Sequence, residues 1–303
     1  MGWRKRGLVF CPRGDVEWMH SHASNPVAEH VESDRFRVYF SSRDAQNRSQ
    51  IGSLLMDLSD GSATVVDGSL HHELAHGRNG RFDDSGVTVT GLVTRGSRRF
   101  LYYLGWNRAV TIPFRNAIGV AVSDNNGPYT RLSEGPIVDR NTVDPISLSY
   151  PFLLWDGDRY RIWYGSCLEW RGSTVLDYEF SLKYAESPDG LDWTRTGEVA
   201  VACTPPGEDA IARPHVVRDG DLYRMWYSRK KGPNYRLGYA ESVNGRQWTR
   251  MDDRAGLDVS AGNDWDSEMV EYAFIFDHDG QRYMLYNGNG YGKTGFGLAI
   301  WTL

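Results

Sequence analysis

Acidic and imidazole side chains recur at matched places along this chain. His20 and His22, Asp83 and Asp84, Asp144, Glu208 and Asp209, and Asp266 and Glu268 each stand a few residues ahead of a run rich in aromatic and β-branched residues. Carboxyls held close together push some of their pKa values up, which sets a proton donor beside a proton acceptor. Histidine adds a group that titrates near neutrality and can move a proton. Any one Asp before a strand is also a common turn cap through its side chain. The shared phase of the five segments is what raises the set above its members.

That phase comes from a repeat. Arg35-Phe36-Arg37-Val38-Tyr39-Phe40, Arg99-Phe100-Leu101-Tyr102-Tyr103, Arg159-Tyr160-Arg161-Ile162-Trp163-Tyr164, Leu222-Tyr223-Arg224-Met225-Trp226-Tyr227 and Arg282-Tyr283-Met284-Leu285-Tyr286 are copies of one strand. Their lead aromatics differ by 64, 60, 63 and 60 positions, a near-constant period that marks a repeat architecture. In the third and fourth copies the strand follows an Asp-Gly-Asp turn and leads to Tyr-Ala-Glu-Ser and then Trp-Thr-Arg. Alternating aromatic and β-branched residues bounded by such turns read as short antiparallel strands. Four strands per unit, repeated radially, predict an all-β fold, a single five-bladed β-propeller over residues 1–303. The last copy holds only three strands, Tyr272 to Phe276, Tyr283 to Tyr286 and Phe296 to Leu303. The apolar Gly7-Leu8-Val9-Phe10 segment is therefore expected to supply the fourth and close the ring, removing two unpaired edges. First strands of blades line a propeller's channel, so the acids are expected to converge on one mouth of it.

Composition narrows the partners. The 303 residues carry a net charge of −5, with no basic run long enough to follow a phosphate backbone, so nucleic acid is not expected. Cys11, Cys167 and Cys203 are too few and too scattered for a disulfide framework or a zinc ribbon. No stretch has the length of a signal-peptide core or a membrane span, which makes the cytoplasm the expected compartment and a membrane no expected partner. No cofactor is expected; an acid ring leaves room for a divalent cation in the channel, although no ligand spacing demands one. The oligomeric state stays open.

Two motifs invite other chemistry. His72-Glu73-Leu74-Ala75-His76 matches H-E-x-x-H, but that pattern binds zinc only on a helix, and Gly68 and Gly77 bound a segment too short to be one. Asn287 to Gly295 is rich in glycine before Lys293, yet its spacing is not that of a phosphate loop. A glycine-rich hairpin at the channel mouth is the better account.

The repeat, the inner-strand acids and the Trp-Thr-Arg strands together resemble the five-bladed propeller glycoside hydrolases, a superfamily of arabinanases, xylosidases, fructosidases and mannoside phosphorylases. More narrowly, Ser21-His22-Ala23, Tyr39 to Asp44, Phe82 to Gly86, Tyr184 to Ser187 and Tyr286 to Gly292 are similar to a bacterial glycosidase-related group. The resemblance spans nearly the whole chain. It implies an Asp before a Pro on blade one, a second Asp on blade two and a Glu farther on as proton donor. Asn25 before Pro26 occupies the first place, and Asp83 or Asp84 matches the second. Ser149 stands in the place of the Glu, leaving Glu208, Glu268 or Glu271 as substitutes.

On this basis Asp84, Asp83, Glu268 and His22 are the expected catalytic groups, His22 standing in for the base that Asn25 cannot be. Asn25, Arg81, Trp106, Arg115, Asp144, Asp209, Arg213, His215, Glu271, Asn287, Tyr291 and Lys293 are expected around the substrate. Arg115 and Arg213 point to an anionic group on it, because guanidinium matches phosphate or carboxylate. Trp106 and Tyr291 offer faces for a sugar ring. The expected activity is processing of a small anionic glycoside, such as a sugar phosphate or nucleotide-linked sugar. The alternatives are a non-catalytic sugar-binding propeller and an enzyme of elimination or transfer on a nucleotide-linked sugar.

Overall fold

The computed structural model describes residues 2–59, 61–172, 177–204 and 206–302. Its antiparallel ladders fall into successive groups. After β1 (Gly2–Phe10), the first group is β2 (Ser21–Glu32), β3 (Arg35–Arg43) and β4 (Ser49–Ser59), with β5 (Ser62–Val65) and β6 (His71–Leu74) both paired to β4. The second is β7 (Gly86–Arg95), β8 (Arg98–Arg108), β9 (Phe114–Asp124) and β10 (Thr130–Arg131). The third is β11 (Leu148–Trp155), β12 (Tyr160–Arg171), β13 (Asp177–Ser187) and β14 (Thr194–Val201). The fourth is β15 (Ala210–Asp219), β16 (Leu222–Lys231), β17 (Asn234–Ser242) and β18 (Thr249–Arg250). The last is β19 (Glu271–His278), β20 (Gln281–Asn287) and β21 (Phe296–Thr302), and β1 pairs antiparallel with β21 from Gly2 opposite Thr302 to Phe10 opposite Phe296. The N-terminal strand thus completes the C-terminal group, as the missing fourth strand required. Leu303, expected at the end of β21, lies outside the described residues.

Hydrophobic clusters join each group to the next. Tyr39 and Ile51 pack with Val87 and Tyr103, Phe100 and Leu104 with Leu148 and Ile162, Trp163 and Leu182 with Met225 and Tyr227, and Trp226 and Tyr239 with Met284 and Tyr286. One more cluster returns from Leu285 and Leu298 to Phe36 and Val38. The alternation in each second strand explains this: successive side chains point to opposite faces, and both faces of a group are covered by neighbours. The result is a closed, nearly all-β ring in the manner of a propeller.

Within the groups the acids of the sequence motif have a structural task. Asp144 is fully buried and accepts from Tyr164 at 2.9 Å, Ser166 at 2.7 Å, Lys183 at 2.9 Å and Arg195 at 2.9 Å. Asp83 accepts from Tyr103 at 3.3 Å and Arg131 at 2.7 Å, and Asp266 from Tyr286 at 3.0 Å and Lys5 at 2.7 Å. Glu208 accepts from both terminal nitrogens of Arg250, at 2.8 and 2.9 Å, while Tyr227 turns to Asp252. A carboxylate ahead of the first strand is therefore clasped to the tyrosine of the second strand or to the base of the outermost one. The first group has an apolar version, with buried Met19 and Phe40 in the corresponding places and Trp18 stacked on His72 at 4.8 Å. The third strand must let the aromatic through: a Cβ on Gly119 would lie 2.4 Å from the Tyr103 ring. Lys183 replaces that glycine in the third group and uses the space to reach Asp144.

Burial alone would raise the Asp144 pKa, but the bonds from Ser166, Lys183 and Tyr164 outweigh it and hold the carboxyl below its ordinary value. Its contribution is present above the unfolded value, about 3.9, and is lost as pH falls through the folded one. Asp144→Asn leaves two cations facing a neutral amide, and removing one partner from such a buried cluster costs about 3–5 kcal/mol. We expect that loss in urea unfolding at pH 7 with an unchanged m-value. A midpoint equal to wild type would show that the clasp adds nothing.

Candidate functional site

Each first strand carries a β-bulge at the same step. The pairing register shifts between Ser24 and Val27, Val89 and Gly91, Ser149 and Phe152, Ala212 and His215, and Glu271 and Phe274. Proline marks three of these sites, Pro26, Pro151 and Pro214, where a ladder hydrogen bond is already missing. A bulge re-aims the residues beside it. Asn25, Arg213 and Tyr272 have φ of 55°, 51° and 56°, left-handed conformations that cost non-glycine residues about 1–2 kcal/mol each. Such strain collects where a structure holds groups for use.

Above the bulges lies a cavity of about 460 Å³. The first strands give it Ser24, Asn25, Thr88, Ser149, Tyr150, Ala212 and Tyr272. Arg43, Trp106, Phe114, Tyr178, Tyr235 and Tyr291 build the walls. Below the bulges the same five strands enclose a second cavity of about 490 Å³, with Val27, Leu92, Phe152, His215 and Phe274 in its lining. The channel is therefore divided at the bulges into two chambers.

Aromatic faces dominate the upper chamber. The Tyr150 and Tyr272 ring centres are 5.0 Å apart, and Tyr235 stands 5.9 Å from both Tyr272 and Tyr291. Trp106 donates its indole N–H to Ser49 Oγ at 2.7 Å, which fixes the ring in the wall. Tyr291 and Gly290 sit in a left-handed turn, φ 62° and 64°, within the short helical segment α1 (Asn289–Gly292). A Cβ on the following Gly292 would lie 2.8 Å from both the Ala23 carbonyl and Ser24 Cβ, so the loop can close onto β2 only with glycine there.

Two titratable groups in this region lack the partners that burial normally demands. Glu271, at the start of β19, is 0% exposed, and neither carboxylate oxygen has a hydrogen-bond partner. Burial drives its pKa well above the ordinary carboxyl value, against a smaller lowering by the Asn287 side chain, and so favours the protonated acid. Arg213 is 1% exposed and uses one nitrogen only, Nη1, which donates to the Thr90 carbonyl at 2.5 Å. Asn287 ties the wall together, accepting from the backbone N–H of Asn25 at 3.0 Å. Asn25 keeps its own Oδ1 unpartnered beside the chamber.

His22 lies at the edge of this region, 2.9 Å from Ser21 Oγ through Nδ1. Burial first, then the charges of Arg43 and Lys293, lower its pKa to about 4. It is a neutral imidazole at pH 7, in a field that those two cations make positive.

The sequence-derived site divides accordingly. Asn25, Trp106 and Tyr291 line the upper chamber. Arg213, Glu271 and Asn287 are buried beside it, and His22 and Lys293 stand at its edge. Asp83 and Asp144 are elsewhere, consumed by the clasps. Asp84 is a turn residue, accepting from the Gly80 N–H and Ser85 Oγ, both at 3.0 Å, and Asp209 likewise accepts from the Gly232 N–H at 2.7 Å. Glu268 and Arg115 are exposed outside the chamber lining, and Arg81 is ion-paired to Glu134. His215 faces the lower chamber, packed 4.3 Å from Phe152 and 4.7 Å from Phe274. The convergence on the mouth expected of the acids belongs instead to residues about five positions farther on. Tyr150, Tyr235, Tyr272, Tyr178 and Arg43 were not among the expected groups. The X-Pro pairs Asn25-Pro26, Tyr150-Pro151 and Arg213-Pro214 were the signal that could have found part of this ring.

Two motifs resolve plainly. His72 lies on a strand, β6, so it and His76 do not share a helical face. Among the described residues, the one cluster offering three metal-ligand atoms is Asp34, His278 and Asp279, in hairpin turns far from the upper chamber.

No family model matches the chain. The uncharacterized protein Rv1502 of Mycobacterium tuberculosis is 46% identical over 300 residues, which cover 99% of each chain. The chain belongs to the Rv1502 family. A solved glycoside hydrolase superposes with a TM-score of 0.73 at 18% identity, covering 98% of this chain and 90% of its own. A structure from the GH130 family of mannoside phosphorylases gives 0.71 at 14% identity, covering 99% and 94%. At these identities the likeness is one of fold: this member of the Rv1502 family has the propeller-type fold seen in glycoside hydrolases. No helix among the described residues is long and apolar enough to cross a membrane.

An NMR titration should place the His22 imidazole midpoint near pH 4. The unfolded chain takes up that proton at about 6.5, so acidification from there to about 4 should cost stability. Arg43→Gln and Lys293→Gln should each raise the midpoint only in part, since burial is the largest cause. A wild-type midpoint above 6 would contradict the buried, cation-flanked position.

Proposed function

We propose that the protein is a carbohydrate-active enzyme that processes a small anionic glycoside in the upper chamber, with Glu271 as its general acid. One observation carries this reading: a fully buried carboxyl beside the chamber, with no hydrogen-bond partner on either oxygen, which burial pushes toward its protonated form. Glycosidic cleavage needs a proton delivered to the leaving oxygen, and a neutral carboxylic acid at pH 7 is the group that does so. The tyrosine-rich walls offer faces for a sugar ring, and the field of Arg43 and Lys293 favours an anion at the mouth. His22, unprotonated at neutral pH, is the group we assign to accept a proton from water. The fold shared with glycoside hydrolases supports the class of chemistry. Asp83, Asp84 and Glu268 have no part in this assignment, because clasps, turns or exposure outside the chamber account for them.

A second reading has its own observation. Asn25 occupies the place ahead of a bulge proline where the resemblance implies an acid, and an amide neither attacks nor accepts a proton. A propeller that binds a sugar without cleaving it would look the same at that position.

An NMR time course with aryl glycosides, glycuronides, sugar phosphates and nucleotide sugars separates the readings. New anomeric signals are expected with wild type, and Glu271→Gln should slow their appearance by about 10²–10⁴-fold, the usual contribution of a general acid. Asp84→Asn should stay within about twofold of wild type. The rate should hold at neutral pH and fall as pH rises through the raised Glu271 pKa, because the acid must keep its proton. Ligand line-broadening without turnover would establish the binding protein instead. Products without a free reducing sugar would mark elimination or transfer.

A further inference from the structure

Arg213 stands between Ala212, which lines the upper chamber, and His215, which lines the lower, and is itself buried behind both linings. It starts on β15 in the fourth group and reaches the Thr90 carbonyl on β7 in the second. Tyr150 and Tyr272, which line the chamber above, are its titratable neighbours. Burial lowers its pKa to about 10, so it remains a cation at neutral pH. Its one hydrogen bond among the described residues is that to Thr90; Nε and Nη2 are buried without partners.

Those two nitrogens are the donors of a single edge of the guanidinium. Their N–H bonds run side by side, the arrangement that grips two oxygens of one planar group. Leaving a buried charged donor unmade is expensive, and a cation so buried needs one negative charge opposite it. Among the described residues no carboxylate is ion-paired to it: burial pushes the nearby Glu271 toward its neutral form and keeps Tyr150 and Tyr272 protonated. A phosphate monoester brings close to two charges at neutral pH and a tetrahedral head. A carboxylate brings one charge and two coplanar oxygens.

We propose that Arg213 is the seat of a substrate carboxylate, its Nε and Nη2 edge holding both oxygens side-on, and that the chamber therefore takes a sugar acid of the uronate type. The carboxylate enters past Tyr150 and Tyr272, and the sugar ring remains above it among the tyrosines. This deepens the functional reading and rests on it for the identity of the ligand as a sugar. The bulge between Ala212 and His215 and the left-handed φ of Arg213 then have a purpose: they set how this one side chain leaves β15.

The test is equilibrium binding to the full chain by calorimetry, using methyl glucuronide, galacturonide and mannuronide, the matching neutral methyl glycosides, and the 6-phosphates. At least one uronide should bind about 10- to 100-fold more tightly than its neutral parent, the range of a charge-assisted pair. Arg213→Gln should erase that preference and leave the neutral glycoside's affinity in place, and Arg213→Lys should restore only part, lacking the fork. Because Arg213→Gln risks the fold, the wild-type Arg Nε–H resonance gives a second measure: the uronide should shift it downfield, and the neutral glycoside should not. Equal affinity for uronide and parent, an Arg213-dependent preference for the phosphate, or an unmoved Nε–H resonance would each overturn the proposal. Uronide binding through Arg213 without turnover would sink the enzyme assignment alone, whereas turnover of neutral glycosides with no uronide preference would sink this one alone.

Discussion

The anchor ahead of each first strand, a clasped carboxylate in every group but the first, is the constraint on which the other features rest. A propeller's first strands meet only their neighbours across a channel, so something must fix where each strand begins. A buried acid tied to the second-strand tyrosine and the outermost base does this at Asp83, Asp144 and Asp266, because an uncompensated buried charge costs several kcal/mol in any other register. Glu208 does it through Arg250, and Met19 with Phe40 does it by packing alone. About five residues beyond each anchor the strand bulges, and there the chain presents Asn25, Tyr150, Arg213, Tyr272 and Glu271 to or beside one chamber. The anchors give the ring its phase, and the bulges use that phase.

This division of labour explains what the sequence made legible. The ring of repeated strands was readable because its aromatic alternation recurs at an almost constant spacing, and the closure by β1 followed from counting strands in the last copy. The anchors were also readable as a repeated pattern, but not the partners that clasp them. Nothing local tells a clasped Asp83 from a catalytic one: the partners that neutralise it, Tyr103 and Arg131, lie 20 and 48 residues away. The working positions were harder still. Ser24, Thr88, Ser149, Ala212 and Glu271 occupy equivalent places and share no composition, so no repeat announces them. Only proline, which tolerates the broken ladder at a bulge, left a trace.

Glu271 and Arg213 show how burial without partners differs from burial with them. Asp144, surrounded by donors, is held as an anion and serves stability. Glu271, surrounded by tyrosines whose own protons burial retains, is pushed toward the neutral acid. Arg213 keeps its charge and two donors unspent. The same low-dielectric interior produces all three outcomes, and the count of partners decides among them.

The pairing of β1 with β21 bears on how the molecule is made. β1 is synthesised before every other strand of the ring, and among the described residues its one ladder partner is the last. During that interval it is an unpaired edge, the kind of surface that recruits other chains. Arg4, Lys5 and Arg6 at its centre and the irregular register at Gly7 discourage such pairing, since charge and a kink both spoil a template for a second strand. The chain thus carries its own protection against aggregation in the segment that must wait longest to fold.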